Sequence, residues 1–286
     1  MENTGIGTPA KTLFDLPVED IMVTHVAKYL DIGDLFALRM CSEYCKVLAD
    51  QMLGGIEFAN LDFSRWKRLK PDASVQNMLS LISTNSRCLR KLIICRIEGL
   101  AEDVFFNFLD NNANLREIEI SYCTIEPITP IAKLPTFVNC KNIIKLTINR
   151  SKGFVNFLDI LCKHNNHLLE IDFESMNHTD DKILKTFLEK QPHMENITFA
   201  VCSMTYAREI LQTIAETCQD LKYLIFENDW DVGDDIIKTI VKNCPKLIKC
   251  NLDQCQRAAY YDEYDEYHYE GSYYDSDDLD PCYEVN

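Results

Sequence analysis

The chain has 286 residues, 47% of them hydrophobic, so it is long enough for one large or two modest domains with a substantial core. Its formal net charge of −16 argues against a protein that coats nucleic acid or an anionic membrane, since both need a basic face. No apolar stretch approaches the roughly 18 residues of a membrane span, and residues 1–17 lack the basic and apolar regions of a secretory signal. We therefore expect a cytoplasmic protein, with the nucleus as a further location, whose 13 cysteines are reduced thiols.

The N-terminal part predicts a short helical module. Residues 1–11 are expected to be disordered, and residues 12–53 carry apolar residues at helical spacing in three successive segments. Asp15 is a candidate cap for the first helix, and Pro17 suits its first turn. Because about forty residues hold too little core to be stable alone, the surplus of apolar side chains implies a partner surface.

An internal repeat dominates the rest of the chain. Residues 54–85 are predicted to be a linker with a degenerate capping strand at 55–64, and about seven repeats follow over residues 86–257. The steps between successive apolar anchors are 25 to 28 residues, inside the window of roughly 20–29 residues that is typical of leucine-rich repeats. The anchors are Leu89, Leu115, Ile143, Leu168, Met194, Leu221 and Leu247.

Each repeat predicts a strand followed by a helix. The residues three and five positions after each anchor are almost all apolar, which indicates one buried face of a short strand. Apolar residues at helical spacing follow most strands, while Pro127, Pro130 and Pro135 predict an irregular coil in one repeat. The predicted fold class is therefore α/β: three N-terminal helices, then a solenoid with parallel strands on the concave face and helices on the convex face.

Several cysteines share positions in the repeat. Cys140, Cys218 and Cys244 stand three residues before an anchor, and Cys123, Cys202 and Cys255 stand eight residues after one. Cysteine is small and readily buried, so close packing between coils explains these positions, with redox sensing as the alternative. Since the chain has no CxxC pair, we expect neither a metal site nor any other cofactor.

Acidic residues mark one predicted strand of the concave face. Glu170, Asp172 and Glu174 alternate along this strand, and Glu119 is expected next to them on the same face. Because neighbouring carboxylates repel, our hypothesis is that a partner segment carrying Lys or Arg binds here. Simple solvation of the carboxylates is the alternative.

A less charged patch is predicted further along the same face. Tyr223 and Ile225 point toward the concave side, and Trp230 follows in the next loop. Tyrosine and tryptophan are frequent anchors of protein interfaces, so these three residues join the candidate substrate-binding set. Alternatively, Trp230 packs against the edge of the solenoid.

The C-terminal segment 258–286 holds most of the acidity. Ten acidic residues and no Lys or Arg fall between Tyr260 and Asn286, leaving −6 of the −16 for residues 1–259. The segment also holds eight of the 13 tyrosines and few aliphatic residues, so we predict disorder. A solubilising segment is the simplest interpretation; tyrosine phosphorylation and docking on a basic partner surface are the alternatives.

The segment from Leu16 to Ala49 resembles an F-box. Leu16-Pro17 with Glu19 match its opening, and the apolar positions follow at Ile21, Val26, Tyr29-Leu30, Leu35, Leu38 and Met40; Tyr44 stands where the usual late Trp is expected. An F-box followed by cysteine-containing leucine-rich repeats is similar to the F-box/LRR-repeat family over residues 12–257. The resemblance implies a substrate-recognition subunit of an SCF-type ubiquitin ligase, which binds the adaptor Skp1 and through it a cullin, a RING protein and an E2.

In that interpretation the protein is not an enzyme itself, and the repeats hold a protein substrate for ubiquitin transfer and degradation by the proteasome. The residues that the resemblance assigns to Skp1 are Leu16, Pro17, Ile21, Val26, Leu30, Leu35 and Leu38, although each could instead pack the module's own core. The sequence contains no Walker loop, dinucleotide fingerprint, nucleophile elbow or HExxH motif. The alternative function is a repeat scaffold or inhibitor that binds a protein without ubiquitin transfer.

Overall fold

A computed structural model describes residues 21–22, 25–62, 75–126, 140–175, 181–200, 206–227 and 233–252. Leu16, Pro17 and Trp230, and the segments 1–11 and 258–286 that were predicted to be disordered, lie outside these ranges. Over the described part of the chain, no helix is both long and apolar enough to cross a membrane.

The N-terminal module contains two helices in the described residues. A short 3₁₀ turn, Ala27–Tyr29, precedes α1 (Ile32–Arg39) and α2 (Glu43–Gly55). Asp31 caps α1 by accepting a hydrogen bond from the Asp34 backbone N–H, and the Asp34 carboxylate accepts one from the Asp31 N–H in return. The first of the three expected helices was predicted to run to about Tyr29; its beginning lies outside the described ranges, and the 3₁₀ turn Ala27–Tyr29 lies at its predicted end.

Strands and helices alternate along the rest of the described chain. The strands are β1 (Phe58–Asp62), β2 (Lys91–Cys95), β3 (Leu100–Ala101), β4 (Glu117–Ser121), β5 (Ile125–Glu126), β6 (Lys145–Asn149), β7 (Glu170–Glu174), β8 (Asn196–Ala200), β9 (Tyr223–Glu227) and β10 (Lys249–Asn251). The helices between them are α3 (Val75–Asn85), α4 (Glu102–Asn111), α5 (Val155–His164), α6 (Asp181–Glu189), α7 (Ala207–Thr217) and α8 (Asp234–Asn243).

The main sheet is parallel and follows the order of the chain. Its described strands run β1-β2-β4-β6-β7-β8-β9-β10, with each strand in parallel register with the next. The short strands β3 and β5 form a second parallel pair. This order confirms a mixed α/β fold with a parallel sheet and connecting helices, and it is consistent with a leucine-rich-repeat solenoid.

The position of a residue within the repeat determines whether its side chain is buried. From Leu92 to Phe226, the residues three and five positions after the anchors are at most 1% exposed, while their neighbours on the same strands are mostly partly exposed. Phenylalanine rings from successive coils stack edge to face inside, as the pairs Phe173–Phe199 and Phe199–Phe226 show at centroid distances of 5.7 Å. The strands therefore present a continuous outer face while the core runs along the whole solenoid.

A line of buried polar groups runs beside this core. The position three residues before the anchor holds an asparagine, a glutamine or a cysteine in several coils, at Asn112, Asn165, Gln191, Cys218 and Cys244. The Gln191 amide donates to the Asn165 carbonyl at 2.6 Å, the Cys218 thiol lies 3.7 Å from the Gln191 carbonyl, and the Cys244 thiol lies 3.6 Å from the Cys218 carbonyl. Gln191, Cys218 and Cys244 thus each contact a backbone carbonyl of the preceding coil.

Burial gives the repeat cysteines a structural role. Burial raises the pKa of the Cys123 thiol to about 11 and that of Cys218 to about 12, and it also raises the pKa of Cys244. A thiol with a raised pKa forms little of the reactive thiolate at neutral pH. Packing between coils is therefore the role that the structure supports for these three residues.

Candidate functional site

The face of the main sheet that points away from the core, which the sequence analysis called the concave face, is named the outer face here. It presents three parallel rows of side chains. They come from the first, third and fifth residues of each five-residue strand, because side chains alternate across a strand. The parallel register aligns these residues from coil to coil, so neighbours in a row lie on adjacent strands about 4.8 Å apart. This surface is where the sequence placed the candidate substrate-binding residues.

The first row is a ladder of alternating charge. Register places Lys91, Glu117, Lys145 and Glu170 side by side. The Lys91 ammonium lies 3.3 Å from the Glu117 carboxylate, and the Lys145 ammonium lies 2.6 Å from the Glu170 carboxylate. The hydrogen bond to Glu170 is the main reason that the pKa of Lys145 is raised. These pairs hold the long side chains in place along the first half of the face.

The acidic strand β7 is largely neutralised by cations of the same chain. Lys145 pairs with Glu170, and the Arg150 guanidinium lies 3.0 Å from a Glu174 carboxylate oxygen. Arg150 also lies over the Tyr122 ring, with 5.5 Å from the guanidinium carbon to the ring centroid. Two of the three carboxylates, Glu170 and Glu174, are therefore paired with cations of this chain rather than with a partner segment.

Asp172 is the remaining carboxylate of this strand. It makes no ion pair within 4 Å to any described residue, and register places it between Thr147 and Thr198. Burial raises its pKa, with further increases from the like charges of Glu170, Glu174 and Glu119, while Lys145 acts in the opposite direction. Asp172 is thus the point on this face where an added positive charge is most favourable.

The expectation that Glu119 lies next to the acidic strand is wrong, because β6 lies between β4 and β7. Thr147 separates Glu119 from Asp172 in the register, and the Glu119 carboxylate lies 3.8 Å from the Lys91 ammonium. The structure therefore places Glu119 and the β7 carboxylates on one surface, with Glu119 held by a cation from β2.

The patch around Tyr223 follows on the last strands. Tyr223 is 42% exposed and lies beside Asn196, while Ile225 is partly exposed beside Thr198. None of these four side chains carries a charge, so this patch is less polar than the first half of the face. Trp230, the third residue predicted here, lies outside the described residues.

The sequence did not predict a row of turn residues along one edge of this face, which we call the rim. In four successive coils the residue directly after the strand is not glycine yet has a positive φ: Arg96, Tyr122, Arg150 and Ser175, at 48° to 57°. Each backbone N–H donates to a strand carbonyl of the next coil at 2.8–2.9 Å, which offsets the cost of the left-handed conformation. The turn brings the Tyr122 ring and the Arg150 guanidinium together at the rim, next to Glu174.

The residues assigned to Skp1 differ in exposure. Leu35 is 1% exposed, Val26, Leu30 and Leu38 are partly buried against the common core, and Ile21 is partly exposed. The large apolar side chains that the module exposes are others: Tyr29 at 78%, Met40 at 72%, Val47 at 57% and Tyr44 at 45%. Of these four, the F-box resemblance includes Tyr29, Met40 and Tyr44 but assigns none of them to the adaptor.

No group of three or more His, Cys, Asp or Glu side chains within the described ranges is arranged to hold a metal ion. The arrangement that the structure does provide is a broad, ordered surface with several paired charges, with Asp172 unpaired among the β7 carboxylates, and with a less polar patch.

Comparison with known proteins supports no closer assignment. No protein-family model and no curated protein matches the chain. Forty chains of solved structures match it, among them an internalin from Listeria monocytogenes with 16% sequence identity and a TM-score of 0.33. The match covers 84% of this chain and 79% of the internalin. The fold described above follows from the strand order and register of this chain alone.

Proposed function

We propose that this chain is the substrate-recognition subunit of an SCF-type ubiquitin ligase, binding Skp1 through its N-terminal helical module and a protein substrate through the solenoid. One observation carries the proposal. A module of about forty residues that resembles an F-box leaves four large apolar side chains between 45% and 78% exposed. So many exposed large apolar side chains on a small module favour a protein-binding surface.

In this proposal, the helical module and the outer face of the sheet bind different partners. The module brings the cullin, RING protein and E2 through Skp1, and the outer face of the sheet holds the substrate. The protein performs no bond-making step in this scheme, so its contribution is to place the substrate near the charged E2. A basic substrate segment fits the unpaired Asp172, and an apolar one fits the patch at Tyr223 and Ile225.

Co-expression with Skp1 tests the proposal. The wild-type chain should elute with Skp1 in a stoichiometric complex, and Met40→Asp with Val47→Asp should lose it. Burial of such side chains contributes about 1.5–3 kcal/mol each, so the double variant should weaken binding by at least about 100-fold. Leu169→Asp is the matched control, because Leu169 is 36% exposed on the solenoid. Leu16→Asp with Pro17→Asp tests the opening motif in the same way.

The alternative function, a repeat scaffold without ubiquitin transfer, also has an observation in its favour. Leu35 is buried, and Val26, Leu30 and Leu38 pack against a core that continues into β1 and β2. A helical module that closes the first coil of a solenoid acts as a cap, which repeat proteins need for solubility. Wild-type protein that is folded and soluble but does not bind Skp1 would reject the ligase proposal and leave the scaffold.

A further inference from the structure

The edge of the solenoid where the strands begin carries a group of positive charges. In three successive coils the turn before the strand holds basic residues: Arg87 and Arg90 before β2, Arg116 before β4 and Lys141 before β6. All four side chains are exposed, and we call them the basic edge. Because the whole chain has a net charge of −16, this accumulation of positive charge runs against its composition.

Hydrogen bonds hold these three turns against one another. The Arg116 N–H donates to the Arg90 carbonyl at 2.8 Å, and the Asn114 amide donates to the Arg87 carbonyl at 2.8 Å. The Asn142 amide donates in the same way, at 2.9 Å, to the carbonyl of the residue before Asn114. Since adjacent strands lie about 4.8 Å apart, the basic edge extends about 10 Å across three coils.

Few carboxylates neutralise the basic edge. The Glu57 carboxylate lies 4.0 Å from the Arg90 guanidinium. Arg87, Arg116 and Lys141 have no carboxylate of a described residue within 4 Å. The basic edge therefore keeps a surplus of positive charge over the part of the chain that the structure describes.

The same edge is balanced in later coils. Glu195 and Lys222 hold the repeat position of Arg90 and Arg116, and the Lys222 ammonium lies 2.7 Å from the Glu195 carboxylate. This position can thus form an ion pair between adjacent coils, whereas in the first coils two arginines stand side by side. Because like charges repel, an added negative charge is favourable at the basic edge.

We propose that the basic edge binds an acidic peptide segment of a partner protein. A guanidinium can donate two parallel hydrogen bonds to one carboxylate, so arginine suits such a ligand. An extended peptide advances about 3.3 Å per residue, so carboxylates three residues apart reach from the first of these coils to the third. A peptide fits better than nucleic acid, because residues 87–90, 113–116 and 141–144 include no aromatic side chain on which a base could stack.

This contact does not depend on the proposed ligase function, because a scaffold could use it equally well. It also differs from the charge ladder of the outer face, whose lysines Lys91 and Lys145 are already paired with glutamates. The solenoid would therefore have two sites of opposite preference: the basic edge for an acidic segment and Asp172 for a basic one.

Cys88 measures binding at the basic edge directly. It is exposed directly after Arg87, and the exposed Cys41 of the helical module is the internal reference. The full chain is treated with N-ethylmaleimide with and without octaglutamate, and the labelling of both cysteines is followed by peptide mass spectrometry. At a peptide concentration of about ten times the dissociation constant, labelling of Cys88 relative to Cys41 should slow about tenfold. Octalysine should leave the ratio unchanged.

Charge reversal tests which residues bind the peptide. Arg87→Glu, Arg116→Glu and Lys141→Glu together should weaken the binding of fluorescein-labelled octaglutamate, measured by fluorescence anisotropy, at least about tenfold. Glutamine at the same three positions should cause a smaller loss, because it removes the attraction without adding repulsion. Binding to the wild-type chain should weaken as salt is added, since exposed charges are screened.

A matched variant controls for net charge. Lys185→Glu, Lys238→Glu and Lys242→Glu change the charge by the same amount at exposed lysines of α6 and α8. This variant should bind octaglutamate within about twofold of wild type, because charges beyond a Debye length are largely screened. Circular dichroism checks that both triple variants are folded, and the protection of Cys88 in the wild-type chain decides the matter without any variant.

Three results would overturn the proposal. The first is octaglutamate binding to the wild-type chain weaker than about 1 mM. The second is an equal loss of binding in the two triple variants, because overall charge alone would then explain it. The third is protection of Cys88 by an eight-nucleotide oligothymidylate at a lower concentration than octaglutamate requires, because the basic edge would then be a nucleic-acid site.

Discussion

Gln191 is the side chain whose loss should disturb the solenoid most clearly. It is 0% exposed and connects two coils, since its amide nitrogen donates to the Asn165 carbonyl at 2.6 Å and its amide oxygen accepts from the Leu168 N–H at 3.3 Å. Gln191→Ala removes the side-chain amide nitrogen and oxygen, and with them both hydrogen bonds. The buried Asn165 carbonyl and the Leu168 N–H then lose the hydrogen bonds that Gln191 makes to them.

The expected cost follows from these two groups. A buried polar group left unpaired costs about 1–3 kcal/mol, so the two together cost about 2–6 kcal/mol. Folded domains of this size are stable by only about 5–15 kcal/mol, so the variant loses a large part of its stability. Gln191→Met, which keeps most of the volume, should lose nearly as much, because the hydrogen bonds and not the filled space carry the effect.

Urea unfolding followed by circular dichroism measures this prediction. Gln219→Ala is the matched control, because Gln219 is exposed and its side chain makes no hydrogen bond to a described residue. The control should stay within about 0.5 kcal/mol of wild type. If Gln191→Ala and Gln219→Ala unfold at the same urea concentration, the buried polar line does not stabilise the fold as argued.

Single positions give three further predictions. Gly153→Ala should lower the free energy of unfolding in urea by more than about 2 kcal/mol, because the φ of Gly153 is +87° and the new Cβ would clash with the Ile125 carbonyl oxygen. Gly54→Ala in α2 should instead be neutral or stabilising. Iodoacetamide at pH 8 should label the exposed Cys41 long before the buried Cys218. The pKa of Cys218, about 12, leaves about a thousandfold less thiolate than an ordinary thiol has. Equal labelling of the two cysteines would contradict the burial argument. Asp172→Asn should raise the melting temperature at pH 7, because a raised folded-state pKa means that ionisation costs stability, and this gain should shrink as the pH falls through the pKa of Asp172.

The sheet was predictable because its signal is local and repeated. A strand that is buried on one face must alternate apolar and other residues, and a register slip of one position would expose every buried side chain. The spacing of the anchors alone therefore predicts the alignment of Lys91 with Glu117 and of Lys145 with Glu170, and the strand register confirms it. The ladder of charges at 3.3 Å and 2.6 Å follows from that register.

Other features carry no such local signal. Asparagine and glutamine are usually exposed, so their types did not indicate that Asn165 and Gln191 are buried. Only their shared repeat position with the cysteines could have shown it. The rim at Tyr122 and Arg150 depends on a left-handed turn at residues other than glycine, and residue type does not predict that conformation there.

The rim changes how the acidic strand can act in binding. A basic partner that approached Glu170 or Glu174 would have to displace Lys145 or Arg150, and the exchange of one ion pair for another yields little free energy. Asp172 has no such competitor among the described residues, and its raised pKa reflects charge repulsion as well as burial, which an incoming cation would relieve. If a basic segment binds this face as proposed, we expect its selectivity to depend on Asp172 and on the spacing from Asp172 to the uncharged patch at Tyr223 and Ile225, and less on the total negative charge of the strand.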